Sequence, residues 1–81
     1  MSSAFILINT NVGREEEVLN LLNTFPEVEY AHIVYGAYDL IARINAADVD
    51  TLKKEILNKV RVISAIKSTV SLISIDSFDR V

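Results

Sequence analysis

Apolar and polar positions along this chain alternate between two periods. Ala4-Phe5-Ile6-Leu7-Ile8 is apolar at every position, as expected of a strand covered on both faces. Over residues 14–25 the spacing changes. Val18, Leu21, Leu22 and Phe25 recur at i, i+3, i+4 and i+7, the stripe of a helix, and Pro26 ends it. Residues 28–35 return to period two, with Val28, Tyr30, His32 and Val34 on one face and Glu29, Ala31, Ile33 and Tyr35 on the other. Gly36 then reads as a hairpin turn, since glycine enters positive φ without steric cost. A third strand follows over residues 38–45, with Tyr38, Leu40, Ala42 and Ile44 opposite Asp39, Ile41, Arg43 and Asn45. Asp48 is a good helix N-cap, and Val49, Leu52, Ile56 and Val60, with Leu57 beside them, form a second helical stripe. The last strand, residues 66–75, points Thr69, Ser71, Ile73 and Ile75 one way and Ser68, Val70, Leu72 and Ser74 the other.

The predicted order is βαββαβ. Each helix is apolar on one side only, so both pack on one face of the sheet. Right-handed crossovers place the strands in the antiparallel order 4-1-3-2, an α+β ferredoxin-like plait with the first and third strands at its centre. The second sheet face also carries apolar side chains. Covering it with the same face of another copy gives a two-fold dimer closed as an α/β barrel. Burying ~600 Å² of apolar area per chain corresponds to about 15 kcal/mol before ordering costs.

Composition sharpens this expectation. Eighty-one residues make one domain, and 51% of them are hydrophobic, with a mean hydropathy of +0.31. The chain has no cysteine, which removes disulfides and thiolate metal sites, and no run of the ~20 apolar residues that a membrane helix needs. Self-association is the remaining outlet for the apolar surface. Met1-Ser2-Ser3 runs into a strand without a basic leader, so a cytoplasmic location is expected. A net charge of −3 and a pI near 4.9 argue against specific nucleic-acid binding. Five of the eight basic residues fall between Lys53 and Lys67, where they read as a solvated helix face and its exit. Glu15, Glu16 and Glu17 suit the positive end of the first helix dipole. His32, the one histidine, has no acid–base or nucleophile partner at a telling spacing and reads as part of a sheet face or subunit contact. No catalytic residue, metal ligand or cofactor is assigned.

The stretch Val34-Tyr35-Gly36-Ala37-Tyr38-Asp39-Leu40 resembles the hairpin of the effector-binding domain in the leucine-responsive/asparagine-responsive (Lrp/AsnC) regulator family. The resemblance extends to Val12-Gly13-Arg14-Glu15-Glu16-Glu17-Val18, to Phe25-Pro26-Glu27-Val28, and to Ile66-Lys67-Ser68-Thr69-Val70-Ser71-Leu72. It implies a homodimer that assembles into tetramers or octamers, with a small effector, usually an amino acid, held between dimers near the hairpin. The family's turn residues fall on Gly36, Tyr38 and Asp39, and its paired hydroxyls fall on Thr69 and Ser71, the second more usually a threonine. Full-length members carry a helix-turn-helix before this domain. None is expected within residues 1–81, so regulation through a full-length relative, without direct specific DNA contact, is the expectation.

The residue types suit that ligand. Backbone N–H groups around Gly36 can approach a carboxylate, Asp39 can pair an ammonium, Thr69 and Ser71 can exchange hydrogen bonds, and Tyr35 and Tyr38 can wall a pocket. The alternatives are that Asp39 and Tyr38 only fix the turn, in a ligand-free oligomerisation adaptor, or that His32 or Tyr35 serves a small dimeric α/β-barrel enzyme.

Overall fold

A computed structural model describes residues 2–80. Its elements are β1 (Ser2–Thr10), α1 (Glu15–Leu22), β2 (Val28–Ile33), β3 (Leu40–Ala46), a composite helix α2 (residues 49–61), and β4 (Ile66–Ile73). The sheet is antiparallel with spatial order β2-β3-β1-β4, the expected 4-1-3-2 read from the other edge, and the fold is ferredoxin-like.

The central strands show how alternation becomes layering. In β1, Ala4, Ile6 and Ile8 are buried, and in β3 so are Leu40, Ala42 and Ile44. Val18 and Leu22 of α1 seal these positions from above, with Leu52, Ile56, Leu57 and Val60 of α2. Leu21, expected within the α1 stripe, is instead partly exposed at its margin, and Val49 is likewise at the rim of α2.

Turn chemistry fixes the entry to α1. Gly13 sits at φ +80°, the left-handed region that favours glycine, while Arg14 N–H donates to the Asn11 carbonyl at 3.1 Å. The helix is shorter than the periodicity predicts. It ends at Leu22, three residues before the last apolar position of its stripe, and Phe25 packs against the core from the connecting turn. Of the acidic triplet, Glu17 pairs with Arg14 at 2.6 Å, and that hydrogen bond holds its carboxyl below the usual carboxylate range.

Helix α2 runs as α-helical Val49–Thr51, a π-helical turn Leu52–Ile56, and α-helical Leu57–Arg61. Asp48 caps it as expected, accepting from Thr51 N–H at 2.7 Å. Leu57 N–H donates five residues back to the Leu52 carbonyl, and both side chains are buried. The π turn thus brings onto one face two leucines that ideal α-helical spacing would set apart.

Two strand features differ from the expectation. A register shift between Val28 and Tyr30 in the β2–β3 pairing reverses side-chain parity at Glu29. Val28 therefore shares its face with Ala31 and Ile33, while Tyr30 and His32 take the other. The β2–β3 connection is also not a tight hairpin. It spans residues 34–39; Gly36 keeps the expected positive φ, at +159°, but close to the extended region.

Candidate functional site

The end of the sheet where β1 finishes gathers most of the residues picked out from the sequence. Ile8 pairs with Leu40 of β3 on one side and with Thr69 of β4 on the other. The exit of the 34–39 loop and Thr69 are thus two strand spacings apart, about 10 Å. Ser71, opposite Ile6, lies one side-chain repeat further along the same face, about 7 Å away.

Asp39 fastens the loop to this end. Its N–H donates to the Ile8 carbonyl, and its carbonyl accepts from Val34 N–H, both at 2.9 Å. Its side chain then takes the next rung of the ladder: Oδ2 accepts from Thr10 N–H at 2.9 Å and from Thr10 Oγ1 at 3.4 Å. Thr10 is only 6% exposed, so this carboxylate satisfies a backbone donor that water reaches poorly. Asn11 N–H donates to the Ala65 carbonyl at 2.9 Å, which ties the α2–β4 connection to the same place. Thr10 was not a candidate from the sequence. The available signal was its parity, which continues the buried series Ala4, Ile6, Ile8.

Around that anchor, Tyr35 projects from the loop into solvent along its whole length, and Tyr38 is half-buried. Thr69 and Ser71 are half-buried on the helix-covered side of β4, an edge strand, with their hydroxyls in no hydrogen bond among the described residues. Asp39 and these hydroxyls do not touch within one chain. Two surface grooves lie elsewhere, one along α1 and β2 (Leu19, Asn23, Tyr30) and one at Pro26, Glu27 and Asn45. None of the six candidates lines either. His32 stands beside Tyr30 with ring centroids 5.3 Å apart.

The sheet face away from the helices is organised in rows. Strand register aligns Tyr30, Arg43, Phe5 and Leu72 in one row and His32, Ile41, Leu7 and Val70 in the next. Leu72 is 51% exposed and Val70 40% exposed, far more than the sealed positions one residue away on β1. Asn45 and Ser3 border this band, joined by a 2.7 Å hydrogen bond from the Ser3 hydroxyl. Past β4, Ile75 and Phe78 are also almost fully exposed.

No helix among the described residues is long and apolar enough to cross a membrane, and no cluster of metal-ligating side chains is found among them.

Comparison with known proteins gives a concordant picture. The family described as the Lrp/AsnC ligand binding domain matches residues 3–80. An uncharacterised helix-turn-helix-type transcriptional regulator of Pyrococcus horikoshii is 36% identical over 66 residues, which make up 82% of this chain and 42% of the relative. The chain thus spans about half the length, or less, of the curated relatives it matches. The crystal structure of FFRP-DM1 superposes with a TM-score of 0.88 at 40% identity, covering 93% of this chain and all of that one. A Neisseria meningitidis transcriptional regulator solved as a complex with L-Met superposes at 0.83, covering 98% of this chain and 53% of that one. At 15% identity it shows the fold alone.

Proposed function

Since the chain belongs to the Lrp/AsnC ligand-binding domain family, a regulatory domain of transcription regulators, we propose that residues 1–81 form a single non-enzymatic module that binds an amino acid and self-associates. The open sheet face meets a second copy, and these dimers join further. The effector lodges between copies, at the sheet end where the loop, Thr10 and Thr69 come together. In this reading N–H groups near Gly36 receive the carboxylate, Asp39 Oδ1 receives the ammonium, and Tyr35, Tyr38, Thr69 and Ser71 complete the pocket. A full-length regulator of the same family is the natural further partner, and the site of action is the cytoplasm.

The observation that carries this reading is the division of labour at Asp39. One oxygen holds Thr10, and the other makes no hydrogen bond among the described residues, in a loop whose aromatic tip meets nothing of its own chain. The six candidates do not enclose a cavity in one chain, so a closed pocket needs more than one copy.

The test is a thermal-shift and calorimetric screen over the free amino acids, beginning with methionine because a protein of this fold holds it. A ligand present at 100 times its Kd adds about 2.7 kcal/mol of stability. Thr69→Val and Tyr35→Ala should weaken binding while leaving the unliganded fold intact. A screen with no responding amino acid would overturn the reading.

A further inference from the structure

The apolar band on the open sheet face contains one charged side chain among the described residues of its two rows, Arg43. Its guanidinium lies over the Phe5 ring, 5.3 Å from the centroid. Its Nη2 donates to Ser3 Oγ at 3.4 Å, the long limit for such a bond. Its Nε, in an ion pair 3.4 Å from Glu29 Oε1, is shielded from solvent and donates no hydrogen bond among the described residues. Glu29 Oε1 is already engaged at 2.6 Å by Asn45 Nδ2, while Glu29 Oε2 accepts no hydrogen bond among the described residues, and the side chain is half exposed. A guanidinium with five donors is therefore held centrally in a greasy band by one long hydrogen bond and an ion pair to Glu29 of its own chain, whose 3.4 Å approach makes no hydrogen bond. A carboxylate with a free oxygen stands at the border of the same band.

This arrangement is incomplete in one chain and self-complementary in two. Resting on the proposal that copies pair through this face, we infer that Arg43 of one copy bonds Glu29 of the other, reciprocally. The two ion pairs then act as the key that sets the register and selects which chains pair. The apolar rows supply the attraction but are nearly featureless. A shifted register, or a foreign chain lacking the acid, covers the guanidinium while leaving it only Glu29 of its own chain, which it does not hydrogen-bond, and so is penalised. The partner of this surface is a second copy of this chain.

Reversed charges separate pairing between chains from pairing within one. Arg43→Glu sets two carboxylates against each other in a self-pair, and Glu29→Arg sets two guanidinium groups. Each variant alone should self-associate at least ~10-fold more weakly than the parent at low salt. Co-expressed under two different tags, the variants should recover parental affinity as a mixed pair, because each reversed charge then meets its opposite. Bonds confined to one chain give no such recovery. The neutral variants Arg43→Gln and Glu29→Gln carry the test if a reversed chain fails to fold. Each should weaken self-association at low salt and flatten its salt dependence. Mixed pairs no tighter than the self-pairs, or variants that self-associate like the parent, would overturn the inference while leaving sheet-face pairing intact. A monomeric parent chain would instead overturn the pairing on which it rests.

Discussion

Replacing Asp39 separates the two jobs given to its carboxylate. Asp39→Ala removes the acceptor for Thr10 N–H, beside a residue only 6% exposed, and opens the end of the β1–β3 ladder. Leaving such a donor unsatisfied costs about 1–3 kcal/mol. A domain of this length has total stability on the order of 4–12 kcal/mol, so the loss is a large share of it. It corresponds to a fall in Tm of about 5–20 °C. Asp39→Asn keeps an oxygen that can accept from Thr10 N–H and loses only the charge assistance, so its cost stays below ~1 kcal/mol. The order reverses for the ligand. An amide oxygen pairs an ammonium poorly, and losing a hydrogen bond to a charged group weakens binding by about 10- to 100-fold. Urea denaturation of all three chains at one protein concentration reads the first effect, and calorimetry with the responding amino acid reads the second. Stability of Asp39→Ala equal to the parent would refute the anchoring of Thr10. Undiminished ligand affinity in Asp39→Asn would refute the ammonium contact.

Other expectations follow from single features of the fold. Ile8 is fully buried in the core and pairs with two strands, so Ile8→Ala should cost about 2–5 kcal/mol in urea denaturation. Gly13→Ala places a Cβ in open space at φ +80°, so its cost is backbone strain alone, about 1–2 kcal/mol by the same assay. Asp48 has its pKa lowered by the Thr51 backbone N–H, then by the Thr51 side chain. Its folded value lies below its unfolded value, so its cap stabilises the fold above the unfolded pKa of about 3.9 and is lost as acid protonates it. Asp48→Ala should therefore be less stable than the parent at neutral pH and equal to it in strong acid, measured by denaturation across that range.

Much of this was legible in the chain because layering is written in parity. The even positions of β1 and β3 pack under the helices, and the odd positions Phe5, Leu7 and Ile41 form the open face, as alternation implies. The strand order followed from two amphipathic helices and one short connection. What was not legible depends on the register between strands. Nothing local to Val28-Glu29-Tyr30 announces a bulge, so the face carrying Tyr30 and His32 was joined to the wrong neighbour at Val28. Asp39 was singled out for its charge, but its partner is a backbone N–H twenty-nine residues away, which no spacing rule reveals. Gly36 has the positive φ expected of it, +159°, but sits in a six-residue loop rather than a tight turn, and the left-handed glycine is Gly13. Glu29 becomes the neighbour of Arg43 only through the same bulge.

The central physical claim is that an exposed apolar sheet face is covered by another copy of the chain. Sedimentation equilibrium of the parent chain at micromolar concentration tests it most directly. The expected mass is twice the 9.0 kDa of one chain or a higher even multiple, falling to a single chain when Ile41→Lys puts a charge in the band. A folded species of 9.0 kDa for the parent chain under those conditions would contradict it.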